Sequence, residues 1–415
     1  MSNTFTTSFS SSFGGVLGVS AVEHFHPNGQ DILQMQKNLL PKPFKITCLE
    51  SLQFSSQLYI LLGDDHGRLL IFDFSKLEFV SICEIHHSTI QSIQIRFQMN
   101  DEMDEDHHDP MNTILTNTSI TTDSHPTSEC FIYTASHQSI KVWKFKDLLV
   151  KSLNPIFTIT PSLYKDSSEN SQNGEIINCM KLVDPFMYIG FDNGYIYCID
   201  INTTKLEHVT RVIKTQSGST SSSNNNNDGQ ICGISIHSIQ QSIGHNQLFV
   251  GCADGTIRIF NSSLHSQNTT IIDPFCCVKK KMSVQCCCNN FSLDEPNANW
   301  LLVSNTDTNF MSLYSIKFNP TKPARMIMSG KTSDVKITKD CMISLGGAHV
   351  YYWNRDGTLQ FKLETHFEHL YSILEMEHVN PRLLVVIGVL NDDNYLITLS
   401  TTQRNILHKI RIPHC

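Results

Sequence analysis

The stretch Leu248–Asn261 reads LFVGCADGTIRIFN: an apolar run reaching Gly251, a turn at Asp254 and Gly255, and a second apolar run from Thr256 to Phe260. Two short apolar runs around a glycine-bearing turn predict a β-hairpin. Asp-Gly suits a two-residue turn whose central residues both take positive φ, a conformation glycine and aspartate tolerate best. The pattern recurs at Leu58–Asp73 (LYILLGDDHGRLLIFD), with the turn at His66 and Gly67, and at Met187–Asp200 (MYIGFDNGYIYCID), with the turn at Asn193 and Gly194. In all three the turn glycine stands five residues before the last apolar residue of the second run. A shared register of that kind marks an internal repeat.

A fourth copy, Phe131–Lys144, puts Gln138 where the glycine would be and ends in the strand Ile140–Trp143. Looser copies lie at Trp300–Tyr314, Met342–Trp353 and Leu383–Leu399, which makes seven. Four segments are too polar to join a core: Met1–Phe44, Met99–Cys130, Leu163–Glu175 and Lys214–Gln230. Without them each copy has about 44 residues, in the range of a four-stranded propeller blade, whereas six or eight copies would give about 52 or 39. The runs Leu69–Phe72, Ile196–Ile199 and Ile257–Phe260 are apolar at nearly every position, as strands buried on both faces require. The predicted fold is therefore all-β, a seven-bladed β-propeller over residues 45–415. It follows an N-terminal tail, 1–44, with a short helix at 31–40 ended by Pro41 and Pro43. The insertions at about 99–130, 163–175 and 214–230 include the acidic run Asp101–Asp109 and the asparagines Asn224–Asn227. They read as disordered surface loops that a blade tolerates at low entropic cost.

The acidic residues number 39 against 31 basic ones, a formal charge of −8, which argues against broad contact with nucleic-acid phosphates. Apolar residues at 40% and charged residues at 17% belong to a folded soluble protein. No apolar run approaches the roughly 20 residues of a membrane helix. Leu383–Leu390 reads instead as a buried strand. Met1–Phe25 contains no Lys or Arg and so lacks the positive region of a secretory signal. An intracellular setting follows, in which the 14 cysteines are free thiols and the sequons at Asn117, Asn202, Asn261, Asn268 and Asn290 go unused.

Motifs for chemistry are sparse. Cys276, Cys277, Cys286, Cys287, Cys288 and Cys341 lack the C-x-x-C spacing of a zinc site, and adjacent residues on a strand face opposite ways. They read as small apolar fillers of a fifth blade. His107 and His108 lie in the acidic loop, where coordination geometry cannot be fixed. No phosphate-loop, nucleophile-elbow or H-E-x-x-H pattern occurs. The innermost strands are expected at Ile46–Leu52, Thr89–Ile95, Ile176–Leu182, Ile231–Ile236, Ser283–Asn289, Val335–Thr338 and Ser372–Met376. They offer only Glu50, Arg96, Lys181, Lys336 and Glu375 as ionisable groups. The run Lys279, Lys280 and Lys281 reads as a solvated edge, with a nuclear-import fragment or an acidic partner as the alternative. No catalytic, cofactor-binding or metal residue is predicted, and partner-binding residues are left unassigned.

With these repeats over roughly residues 45–412, the chain resembles the WD-repeat proteins, and within them the family of THO complex subunit 6. The narrower likeness rests on Ile140–Leu149 (IKVWKFKDLL), on Asn299, Trp300, Leu301, Leu302 and Val303 opening a fifth-blade strand, and on Ile343–Glu364 (ISLGGAHVYYWNRDGTLQFKLE). The chain departs from the pattern in lacking a Trp-Asp pair; only Trp143 and Trp353 end strands, and the low-complexity insertions are not family features. In WD repeats a Gly-His pair precedes the first strand, so the resemblance implies that His86 or His87 and the following blade's Trp143 fasten one strand to the next. It further implies a nuclear, non-catalytic scaffold of the THO part of the transcription-export (TREX) assembly, supporting mRNA processing and mRNA export. Its partners would be other THO subunits, especially the coiled-coil subunit 5, with RNA met only indirectly and no membrane, cofactor or small-molecule substrate. The alternatives are a WD-repeat adaptor of another complex, such as a ubiquitin-ligase substrate receptor, and an enzymatic propeller hydrolase.

Overall fold

The computed structural model describes residues 44–98, 129–161, 176–212, 236–241, 247–253, 256–261, 264, 267–272, 282–287, 300–305, 309–315, 325–338, 341–376 and 383–414. The expected helix at 31–40, the acidic and asparagine-rich insertions, His107, His108, Lys279–Lys281, Cys276, Cys277, Cys288 and the turn Asp254 and Gly255 lie outside them.

Among the described residues the strands form seven four-stranded antiparallel sheets, each in simple sequential order. The first holds β1 (Ile46–Phe54), β2 (Gln57–Asp64), β3 (Arg68–Asp73) and β4 (Glu78–Glu84). The second holds β5 (Ile90–Gln98), β6 (Glu129–Ser136), β7 (Ile140–Lys144) and β8 (Phe157–Ile159), with the one-turn helix α1 (Phe145–Leu149) before β8. The third is β9 (Ile177–Val183), β10 (Phe186–Phe191), β11 (Tyr195–Asp200) and β12 (Leu206–Arg211). The fourth is β13 (Ile236–Gln241), β14 (Gln247–Cys252), β15 (Thr256–Asn261) and β16 (Gln267–Ile272). The fifth is β17 (Met282–Cys287), β18 (Trp300–Asn305), β19 (Phe310–Ser315) and β20 (Arg325–Met328). The sixth is β21 (Asp334–Ile337), β22 (Met342–Gly346), β23 (His349–Trp353) and β24 (Leu359–Glu364). The seventh is β25 (His369–Met376), β26 (Leu383–Leu390), β27 (Asp393–Ser400) and β28 (Ile406–Arg411). Each of the seven sequence repeats falls on the second and third strands of one sheet.

The core is divided into apolar layers, each shared by two sheets that follow one another. The period of two along a strand distributes side chains between layers. On the first sheet, Leu61, Leu69 and Ile71 face the second sheet's Ile93, Ile132 and Trp143. Their neighbours Ile60, Leu62, Leu70 and Phe72 face the seventh sheet's Leu374, Val385, Ile387 and Leu396. On β18, Trp300 and Leu302 pack toward the sixth sheet while Leu301 and Val303 pack toward the fourth. Both faces of the middle strands are thus covered, which is why β3 is buried at every position and β12 alternates. Each fully buried Leu, Ile or Phe contributes about 1.5–3 kcal/mol by leaving water.

The first strands lie side by side: β1 against β5, β5 against β9, β9 against β13, β13 against β17, β17 against β21, β21 against β25, and β25 against β1. Their outer edges carry unpaired backbone groups, and short polar side chains reach across to satisfy them. Thr47 Oγ1 donates to the Ile90 carbonyl, Ser92 Oγ to the Met180 carbonyl at 3.2 Å, and the Leu182 amide donates to Gln94 Oε1 at 3.2 Å. Ser333 Oγ donates to the Leu370 carbonyl and the Ile373 amide to Asp334 Oδ2 at 3.1 Å. The seventh sheet meets the first without exchanging a strand. Tyr371 OH accepts from the Ile46 amide at 3.3 Å and donates to Asn394 Oδ1 at 2.6 Å, and Asn394 Nδ2 donates to the Phe44 carbonyl.

Two expectations need correction. The turns at His66-Gly67 and Asn193-Gly194 do not have two central residues of positive φ; only the glycines take it, at 84° and 87°. The Gly67 and Gly194 amides donate to the Asp64 and Phe191 carbonyls at 3.3 Å, so each glycine closes a four-residue turn and carries the chain into the next strand. Turns with two positive-φ centres occur elsewhere, at Ser55-Ser56 (49° and 60°) and Asn391-Asp392 (51° and 64°), between strands paired up to the turn itself. The second correction concerns the fourth sheet. Its described first strand begins at Ile236 and runs to Gln241, where the sequence had suggested a strand ending at Ile236. The β14 partner decides this, because Ile236 faces Cys252 and Gln241 faces Leu248.

Candidate functional site

His86 sits between β4 and β5 and links two sheets. Its amide and that of Ile85 donate to the Gly67 carbonyl at 3.0 and 3.1 Å. Its Nε2 lies 2.9 Å from Thr134 Oγ1 and 3.2 Å from the Thr134 carbonyl. A carbonyl only accepts, so the neutral ring carries its proton on Nε2. Trp143 Nε1 donates to the same hydroxyl at 3.0 Å, and Lys141 Nζ donates to the Ile85 carbonyl at 2.7 Å. Burial, reinforced by the Lys141 charge, pushes the His86 imidazole down to about 4, so it is neutral at pH 7. Gly67 is required here twice over: besides its positive φ, a Cβ would lie 2.2 Å from the His86 carbonyl oxygen. The expected histidine–tryptophan fastening is present, with His86 as the histidine; His87 is exposed. The device is structural, since its groups satisfy one another. The sixth sheet repeats its inner half, Trp353 Nε1 donating to Ser344 Oγ at 2.9 Å.

The five ionisable residues of the strands expected to be innermost do not form one cluster. Glu50, Lys181 and Lys336, on β1, β9 and β21, feel one another's charge. Burial raises the Glu50 carboxyl against the pull of both lysines, and burial lowers Lys181 against the pull of Glu50. No direct ion pair joins them among the described residues. Arg96 turns away to Asp184 and Asn202, at 2.7 and 2.8 Å, tying the second sheet to the third. Glu375 is corrected outright: it is buried between the sixth and seventh sheets, apart from Glu50, Lys181 and Lys336. There it lines a cavity of about 130 Å³ with Arg404 and Tyr352. The register places it opposite Leu384, so its side chain leaves the strand toward the neighbouring sheet.

Among the described residues the cysteines are spread over several sheets. Cys130 and Cys198 are buried, which raises their thiols to about 12 and about 11 and makes them poor nucleophiles. Cys286 and Cys287 lie side by side on β17, and Cys341 just before β22. Among the described residues no three His, Cys, Asp or Glu side chains come together as a metal site.

The larger cavity, about 530 Å³, opens where the start of β1 meets the connections into β21 and β25. Phe44, Leu370 and Val389 give it apolar walls, Lys45, Lys331 and His369 basic ones, and Asp392 an acidic one. Lys45 Nζ lies 5.6 Å over the Tyr371 ring, and the Arg68 guanidinium backs Phe44 at 4.6 Å from its ring centre. Arg68 is itself held by a buried bond from Nε to Asp64 Oδ2 at 2.6 Å. No motif announces this place. Its residues come from both ends of the folded unit, and the only local signal is Asp64 four residues before Arg68.

No protein-family model matches the chain, and no curated protein matches it. Among solved structures it is similar to the computationally designed Ika8 protein, at 13% identity over 89% of this chain and 88% of that one, with a TM-score of 0.52. A likeness at that identity speaks for the fold alone. The class defined by the described residues is an almost wholly β fold of seven four-stranded antiparallel sheets, an arrangement consistent with a β-propeller.

Proposed function

We propose that the chain is a closed seven-bladed propeller of the WD-repeat type serving as a non-catalytic scaffold, and that it belongs to the THO part of the mRNA-export assembly in the nucleus. The succession of first-strand contacts, which runs through all seven sheets and brings β25 against β1, supports the closed ring. One observation carries the scaffold reading. The link from β7 to β8 leaves Val150, Leu153 and Ile156 exposed, Val150 to 76%, beside the firmly packed Phe145 and Leu148 of α1. Apolar side chains gathered on a rigid edge mark a protein-binding surface. Lys151, at φ 57°, and the bonds from Ser152 N to the Asp147 carbonyl at 2.8 Å and from Ile156 N to the Val142 carbonyl at 2.7 Å hold this link in shape. The acidic charge of −8 fits a role in which partners, not this chain, touch RNA.

The test is purification of the tagged chain from nuclease-treated nuclear extract with mass spectrometry, in wild type and in a Val150→Glu, Ile156→Glu variant. Recovery of the THO subunits, with the coiled-coil subunit 5 lost from the variant, is the expected result. Recovery of a different complex would sink the THO assignment; THO subunits held equally by the variant would move the surface elsewhere.

A further inference from the structure

Glu50, Gln94, Lys181 and Lys336 stand at one level of the first strands. Glu50, Gln94 and Lys181 are each the fifth residue of β1, β5 and β9, and each follows a pairing shift at the start of its strand. Lys336 takes the same level on β21. It stands three residues after Ser333, whose hydroxyl donates to the Leu370 carbonyl, as Glu50 stands three after Thr47, whose hydroxyl donates to the Ile90 carbonyl. Leu370 and Ile90 in turn open the corresponding pairing shifts of β25 and β5. All four side chains are half-buried. Gln94 is engaged, its Oε1 accepting from the Leu182 amide at 3.2 Å and its Nε2 donating to the Ile93 carbonyl at 2.8 Å. The two lysines are not. Neither ammonium makes a hydrogen bond or an ion pair among the described residues, yet neither is sealed from water. Each acts on the other through space, and Glu50 acts on Lys181 and is acted on by both. Like charges withdrawn from water without a direct counter-charge are destabilising.

We propose that this level, the waist of the closed ring proposed above, is a binding site for one small inorganic monoanion such as chloride or nitrate, held between Lys181 and Lys336. In formal charge two ammoniums and one carboxylate leave a net of +1, and passing a proton from Lys181 to Glu50 leaves the same +1. One negative charge therefore balances the waist in either state. The level lies mid-strand: β1 and β5 have nine residues each, so four stand on either side of it, about 13 Å of strand in each direction. That depth favours a free ion, which can diffuse in, over a side chain of a partner docked on either face. The inference rests on the closed ring and is independent of the THO assignment.

Chloride NMR linewidths of the full chain at constant ionic strength, with nitrate as competitor, read the site. Saturable excess broadening that nitrate removes is expected. Lys336→Gln is expected to weaken chloride about tenfold, and Glu50→Gln, which removes the opposing carboxylate, to tighten it about tenfold. A purely structural disturbance would weaken binding in both, so the opposite signs are decisive. Lys331→Gln, an exposed position just before β21, is expected to change nothing. Far-UV circular dichroism checks the fold of each variant, and should Lys336→Gln fold poorly, the Glu50 variant still decides. Absence of saturable broadening, or chloride bound no more tightly by Glu50→Gln than by wild type, would overturn the proposal. A crystal grown in bromide separates the site from the ring: a closed ring with no anomalous peak between Lys181 and Lys336 sinks the site alone, and an open ring sinks both.

Discussion

In the second sheet the Trp143 indole donates to Thr134 at 3.0 Å; in the sixth, Trp353 donates to Ser344 at 2.9 Å, again across nine residues and between the second and third strands. The second sheet alone adds His86, which brings a ring nitrogen to the same hydroxyl and ties its own amide to Gly67 of the first sheet. The indole–hydroxyl pair thus belongs to a single hairpin, where register places the partners on one face. The histidine belongs to the junction of two sheets. The two regions therefore separate what a hairpin supplies from what its neighbour adds, and perturbing them in parallel measures each part.

The largest effect is expected from Trp143→Ala, which empties a fully packed site between the first and second sheets. It should cost about 4 kcal/mol in urea unfolding, and a value below about 2 would mean the junction relaxes to fill the gap. Next comes acid. With the His86 pKa lowered from 6.5 to about 4, the unfolded chain takes up a proton that the folded one refuses. The stability is whole above pH 6.5 and falls as pH drops toward 4, by about 3 kcal/mol in all. His86→Gln should flatten that acid limb relative to wild type in urea midpoints measured from pH 7 to 4. An unchanged difference between the two proteins would place the ring in water.

A smaller contrast follows from the hydroxyls. Thr134→Val strands the Trp143 indole and leaves the His86 ring only its longer 3.2 Å bond to the carbonyl of residue 134, whereas Ser344→Ala strands only the Trp353 indole, so about 1.5 kcal/mol against about 1 is expected. Equal losses would show that the histidine adds nothing. At the small end, Lys144→Gln breaks the 2.7 Å pair with Glu129 at the rim of the second sheet. Both side chains are 43% exposed, so no measurable change is expected in thermal unfolding.

Much of the fold was legible because the hairpins are local. All seven repeats fall on the second and third strands of separate sheets, and the runs read as buried on both faces are so. Turn chemistry was read less well: glycine was correctly marked, but its place after the turn, with a single positive φ, depends on how many residues the flanking strands pair. The resemblance to WD repeats left the fastening histidine as His86 or His87, and burial between the two sheets selects His86. Glu375 was misplaced because the first strand of a sheet still sends alternate side chains into the layer between sheets, and only the neighbouring sheet decides which ones.

The sequence by itself determined the repeating hairpin and the all-β class, since each depends on spacing within about fifteen residues, where pleat and register are set by the chain's own periodicity. Tertiary structure alone decided how the last sheet meets the first, through Tyr371, Asn394 and Phe44. It also decided that Lys45, Lys331 and Thr332 would share one cavity. Phe44 and Lys45 stand hundreds of positions before the other residues, and no local preference encodes their meeting. It follows from packing successive sheets face to face until the apolar surface of the seventh is covered by the first.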